Sequence, residues 1–150
     1  MRISAKVDYA VRAMVELAAS DGPVKAEEIA DRQHIPVHFL LNILGRLKLA
    51  GLAESRRGSD GGYWLALDPL DISIADVIRA VEGPLADVHD VPPEELDYPE
   101  PAAALRDVWL ATRAALRRVL EQVSIADVAA GKLPAGVADE LADPGSWHRR

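Results

Sequence analysis

Pro36-Val37-His38-Phe39-Leu40-Leu41-Asn42-Ile43-Leu44-Gly45-Arg46-Leu47-Lys48-Leu49-Ala50-Gly51 runs directly into Leu52-Ala53-Glu54-Ser55-Arg56-Arg57-Gly58-Ser59-Asp60-Gly61-Gly62-Tyr63-Trp64-Leu65-Ala66-Leu67. The apolar period changes between the two halves. Leu40, Ile43, Leu44 and Leu47 recur at three- and four-residue spacing, which predicts a helix over about Val37 to Ala50, opened by Pro36 and stopped by Gly51. Two short strand-like runs, Leu52 to Arg57 and Tyr63 to Leu67, then flank a glycine-rich turn. Upstream, Val7 to Ala19 places Ala10, Val11, Met14, Leu17 and Ala18 on one helical face. A short helix near Ala26 to Gln33 buries Ile29 and Ala30. Three short helices followed by a hairpin is the order of a winged helix-turn-helix.

Beyond Pro69 the pentapeptide Ser-Ile-Ala-Asp-Val occurs twice, at Ser73–Val77 and Ser124–Val128. Each serine suits a helix N-cap, with the aspartate in the first turn. The surroundings of the copies do not match, so they read as two independent helix starts and not as a duplicated module. The first of these helices ends at Gly83-Pro84. Asp87 to Pro101 has six carboxylates, four prolines and no Lys or Arg, which predicts a loop with at most one helical turn at Pro93–Leu96. From Ala102 to Val123 a long amphipathic helix is expected. Its stripe is Leu105, Val108, Trp109, Thr112, Leu116, Val119, Leu120 and Val123. A partner subunit or its own domain would cover that stripe, and the partner is favoured. The tail has weak helical potential at Val137–Leu141, a Trp147 available for docking, and an ending His148-Arg149-Arg150 expected to be disordered.

The chain divides accordingly into a DNA-binding domain (1–83), an acidic loop (84–101), a dimerisation helix with its following turn (102–130) and a tail (131–150). The fold class is mostly α with a small β-hairpin wing.

Composition narrows the chemistry. Cysteine is absent, which removes disulfides, thiolate nucleophiles and cysteine-ligated clusters. No apolar run approaches a membrane span, and a cytoplasmic location is the expectation. The net charge of −7 argues against a polyanionic partner only until its distribution is considered. Residues 1–68 hold nine basic and nine acidic side chains, whereas 69–150 hold eight and fifteen. The field of one face, not the sum, steers DNA. No G-x-S-x-G, H-E-x-x-H, P-loop or dinucleotide fingerprint occurs, so an enzyme is not expected.

The sequence resembles the Rrf-type (IscR/NsrR/CymR-like) family of winged helix-turn-helix transcriptional regulators. The resemblance runs from Met1 to about Val128. It is carried by Met1-Arg2-Ile3-Ser4-Ala5-Lys6, Tyr9-Ala10-Val11-Arg12-Ala13, Glu28-Ile29-Ala30 with Gln33 and Ile35-Pro36, and Leu47-Lys48 with Ala50-Gly51-Leu52. It continues through Arg57-Gly58 with Gly61-Gly62-Tyr63, Asp76-Val77-Ile78-Arg79-Ala80-Val81-Glu82-Gly83 and Leu105-Arg106-Asp107-Val108-Trp109. The resemblance implies a homodimer whose long C-terminal helices pack across the two-fold axis, and a double-stranded DNA partner read by the third helix.

Its base-reading positions fall on His38, Phe39, Leu41 and Asn42. Asn42 has the amide geometry for adenine, and Leu41, a glutamate in IscR-like members, either meets a thymine methyl or packs within the motif. Phosphate contacts are implied for Ser4, Lys6 and Tyr9, and at the wing for Arg56, Arg57 and Gly58; a solvated strand end is the other reading of the two arginines. Many relatives hold an iron–sulfur cluster in the loop before the long helix. Here that loop has no cysteine, and Ala102 stands where a ligating histidine is found, so no cofactor and no cluster are expected. His89, Asp90, Glu94 and Glu95 lack a recurring metal-ligand spacing and read as a solvated acidic face.

The expected function is a repressor on a near-palindromic operator. A small-molecule or protein effector is left open. A second reading also remains: a regulatory interaction module whose DNA binding depends on a partner protein, with the acidic loop as its interface.

Overall fold

The computed structural model describes residues 3–148; Met1, Arg2, Arg149 and Arg150, including the terminal arginines expected to be disordered, lie outside the described residues. Seven helices and one hairpin follow in the order α1 (Ala5–Ala18), α2 (Ala26–Gln33), α3 (Val37–Leu49), β1 (Ala53–Arg56), β2 (Gly62–Leu65), α4 (Ile74–Glu82), α5 (Leu105–Leu120), α6 (Ile125–Ala130) and α7 (Ala135–Ala142). The element order matches the reading of the sequence, with boundaries moved by a few residues.

α1 runs through the middle of the core. Val7, Ala10, Ala13, Met14 and Leu17 are buried on it, and α3, α4 and α6 pack around it. α3 contributes Leu40, Ile43, Leu44 and Leu47, all essentially inaccessible, as its periodicity requires. The hairpin is antiparallel, with Ala53 opposite Leu65 and Arg56 opposite Gly62. Val24, between α1 and α2, exchanges two backbone hydrogen bonds with Tyr63 (2.9 and 2.8 Å) and ties the hairpin to the helices.

The two pentapeptides each start a helix, as read from the sequence, and the structure adds that they meet. Ser73 and Ser124 form an antiparallel bridge: the Ile74 amide donates to the Val123 carbonyl and the Ile125 amide to the Ile72 carbonyl, both at 2.9 Å. Each serine caps its helix in a capping box. Ser73 Oγ accepts from the Asp76 amide and Ser124 Oγ from the Asp127 amide, both at 3.1 Å, and each aspartate takes back its own serine's amide. Ile72 and Ile125 are fully buried beside this junction. Residues 1–83 therefore do not close the core alone, because Ile125 completes it from beyond α5.

α5 stands outside that core. None of its sixteen residues is buried. Val108 is 51% exposed, Thr112 is exposed, and Leu105, Trp109, Leu116, Val119 and Leu120 are only partly covered. Val123, predicted as the end of the stripe, is instead buried at the Ser73–Ser124 junction. The acidic loop folds back on α5: the Trp109 indole donates to the Tyr98 hydroxyl (3.2 Å), and Arg113 pairs with Glu94 at 2.6 Å. In the tail, the Trp147 ring stays 69% exposed and does not dock, although its N–H donates to the Leu141 carbonyl.

Ser73→Ala and Ser124→Ala should each lower the unfolding free energy by about 1 kcal/mol. Because the two caps touch, the double variant should depart from the sum in denaturant titrations. Burial pushes the Asp76 carboxyl up, but Ser73 and Arg79 outweigh it; the Ser124 amide and hydroxyl likewise hold Asp127 below the ordinary aspartate range. Depressed carboxyls stabilise above their unfolded pKa, near 4, and the contribution is lost as pH falls through the lower folded values. Asp127→Asn should therefore flatten the loss of stability below about pH 4; an unchanged acid slope would contradict this.

Candidate nucleic-acid interface

The turn between α2 and α3 sets where α3 points. His34 closes α2 in the left-handed conformation (φ 53°), Ile35 is buried behind it, and Pro36 starts α3. Arg12 clamps this corner to α1, donating to the Gln33 side chain (3.0 Å) and to the Gln33 carbonyl while pairing with Asp8 (3.0 Å). Gln33 in turn donates to Glu16. Tyr9 carries the guanidinium of Arg12 at 5.5 Å and meets the Phe39 ring edge-on, with centroids 6.0 Å apart and planes at 89°. The start of α1 and the leading end of α3 are thus held side by side. This bracket escaped the sequence reading, since Arg12 and Gln33 are 21 positions apart. The only sequence signal was that both lie among the residues carrying the family resemblance.

Opposite its buried stripe, α3 exposes His38, Phe39, Leu41, Asn42 and Gly45. Leu41 is 44% accessible, so it is not packed away inside the motif. Gly45 has open space where a Cβ would stand. In an exposed helix interior a glycine is less favourable than alanine, and no neighbour in this chain requires one here. Lys6 lies half-buried in the first turn of α1. Ser4 caps α1 by accepting from the Val7 amide (3.2 Å), and its hydroxyl donates to Glu82. Both functions of the Ser4 side chain are thus engaged within the chain.

The wing is shaped by two glycines. A Cβ on Gly61 would stand 2.2 Å from the Arg56 carbonyl oxygen, and one on Gly62 would stand 2.7 Å from the Val24 backbone. The turn therefore closes tightly, with Arg57 and Gly58 exposed at its tip. Arg56 bends back to donate to the Asp60 carbonyl at 3.0 Å.

Ion pairing is unevenly distributed, although Arg106 and Lys132 in the second half are in none of the ion pairs among the described residues. Arg79, Arg113, Arg117 and Arg118 each face a carboxylate. In the amino-terminal half, Arg12 and Arg32 are paired, whereas among the described residues Lys6, Lys25, Arg46, Lys48, Arg56 and Arg57 are in no ion pair. The acidic total thus leaves a set of cations uncompensated around α3 and the wing, the arrangement a polyanion needs.

No helix among the described residues is long and apolar enough to cross a membrane. A model of the Rrf2 family, described as an iron-dependent transcriptional regulator, matches residues 3–131. Rv1287 of Mycobacterium tuberculosis is 52% identical over 145 residues, 95% of this chain and 89% of that protein. The HTH-type transcriptional regulator CymR of Bacillus subtilis is 37% identical over 131 residues, 86% of this chain and 90% of that protein. Among solved structures, that of B. subtilis CymR, the global cysteine regulator, superposes with a TM-score of 0.74 at 35% identity, covering 88% of this chain and 98% of that one. The structure of T. potens IscR superposes with a TM-score of 0.68 at 34% identity, covering 85% of each chain. With a helix-turn-helix, a wing and their relatives agreeing over most of its length, the chain belongs to the Rrf2 family: it is a DNA-binding winged-helix transcriptional regulator and not an enzyme.

Proposed function

We propose that the protein acts as a homodimeric repressor on a near-palindromic operator, reading bases with α3 and gripping phosphates with the start of α1 and the wing. The observation that carries the dimer is α5, an amphipathic helix of sixteen residues with none buried. A helix of that kind is not stable facing water, and its apolar stripe needs a cover. Ile3, Val7, Ile78 and Leu85 form an apolar groove of about 530 Å³ with Leu116, Val119 and Leu120 of α5. Two copies joined through α5 would present their α3 helices to successive major grooves, about one turn of DNA apart.

Asn42 supplies the paired donor and acceptor for adenine, His38 a donor to guanine or phosphate, and Leu41 and Phe39 apolar contact with thymine methyls. Lys6, Tyr9, Arg56, Arg57 and Gly58 lie along the backbone track; Ser4 serves there through the turn it caps, its hydroxyl being turned to Glu82. The absent Cβ at Gly45 leaves room for α3 to approach the duplex closely.

The family model's description names iron, and the donor set here does not fit a cluster. The sequence has no cysteine, and carboxylates are poor ligands for soft iron–sulfur centres. In the loop, Glu94 is turned to Arg113, and among the described residues no three His, Asp or Glu side chains are grouped to hold a metal ion. Protein purified without oxygen should lack visible absorbance; a visible iron–sulfur charge-transfer band would overturn this.

Operator selection followed by anisotropy titration tests the rest. Asn42→Ala should weaken specific binding by about 1–3 kcal/mol and leave non-specific binding unchanged. Lys6→Ala should weaken all duplexes and reduce the salt slope by about 1. Gly45→Ala should raise stability by about 1 kcal/mol while lowering operator affinity; equal operator affinity would remove the close-approach role. Leu116→Asp should yield a monomer in sedimentation. A wild-type chain that is monomeric, or that binds DNA only with a second protein present, would favour the partner-dependent reading instead.

A further inference from the structure

We propose that the cleft bounded by Arg79, Arg113 and Arg117 is a receptor site for a small oxyanion of two or more charges, with Glu94 of the acidic loop as the tethered anion that it displaces. The cleft measures about 370 Å³ and is walled by those three arginines with Gly83, Pro84 and Leu85. No carboxylate is part of the wall. Arg113 and Arg117 sit one turn apart on α5, and Arg79 faces them from the last turn of α4. Like charges at that helical spacing repel, so their convergence needs a counter-charge. The carboxylates that now supply it reach in from outside: Glu94 to Arg113 at 2.6 Å, Asp76 to Arg79 at 3.3 Å, and Glu121 to Arg79 and, at 3.8 Å, to Arg117.

Arg113 is the most enclosed of the three, its side chain 16% exposed, whereas Glu94 is 53% exposed. Water competes for a carboxylate so open, and an ion pair of that kind is weak. Guanidinium forks match the paired oxygens of phosphate and carboxylate, and three around an uncharged wall focus the field on whatever sits between them. The volume suits a ligand of modest size. A phosphate ester and a di- or tricarboxylate share the required chemistry.

The site also has a route to the rest of the molecule. Pro84 and Leu85 line both this cleft and the apolar groove against α5, and Glu94 anchors the loop to that same helix. An anion that releases Glu94 loosens the loop from α5. Any consequence for operator binding rests on the proposed dimer; the binding itself does not, so the two fail separately.

The test is calorimetric titration of the full chain, in low chloride, with inorganic pyrophosphate in one arm and citrate in the other. One saturable site per chain is expected, and the arm that binds more tightly identifies phosphate or carboxylate as the recognised group. Arg113→Gln and Arg117→Gln should each weaken binding about tenfold or more. Glu94→Gln should tighten it severalfold, an effect that a purely structural ion pair would not produce. Arg106→Gln, on the same helix but not in the cleft wall, should change nothing. The proposal is overturned by absence of saturable binding in both arms, by equal weakening from Arg106→Gln (an adventitious ion only), or by Glu94→Gln leaving affinity unchanged or lower.

Discussion

The return of the chain at Ser124 to pair with Ser73 is the constraint from which the rest of the architecture follows. Two backbone hydrogen bonds fix residues 72–74 and 123–125 against each other, and a capping box within each segment starts its helix there. Ile125 then fills the core beside Ile72, and α6 covers the flank of α1. With both ends of the intervening segment pinned at one place, α5 and the acidic loop form an excursion that leaves the core after α4 and comes back before α6. An amphipathic helix on such an excursion cannot turn its stripe into a core that is already closed. Its exposure is a consequence of topology and not of weak packing, and it is the stripe that the proposed dimer would cover.

The same closure separates the electrostatics. Arg79, Arg113, Arg117 and Arg118, at the end of α4 and on the excursion, are paired with nearby carboxylates, most of the acidic excess lying in that half. Around α3 and the wing the lysines and arginines mostly lack such partners, so a protein with a net charge of −7 still carries a face suited to DNA. Net charge sums over regions that never act together; the local field decides what approaches.

The acidic loop acquires a structural role from this arrangement. It has no thiol to offer a cluster, and it is held to α5 by the Glu94–Arg113 pair and the Tyr98–Trp109 hydrogen bond. In a family whose description names iron, this loop is tied down by the buried Pro93 together with an ion pair and a hydrogen bond. An exposed ion pair of this kind is open to competition by solutes.

Sequence alone determined the local elements, because helix periodicity, capping residues and turn glycines act over a few positions. Leu40, Ile43, Leu44 and Leu47 had to face inward, which left His38, Leu41, Asn42 and Gly45 facing out; Ser73 and Ser124 had to begin helices. Tertiary structure alone decided which local pieces meet. The pairing of the two serine caps, the burial of Val123, the Arg12–Gln33 clamp, the exposed Trp147 and the three-arginine cleft all join residues brought together only when the apolar stripes find a common core. Periodicity says which face of a helix seeks cover. It carries no information on which surface provides it, because that depends on contacts between segments whose separation along the chain local pattern does not encode.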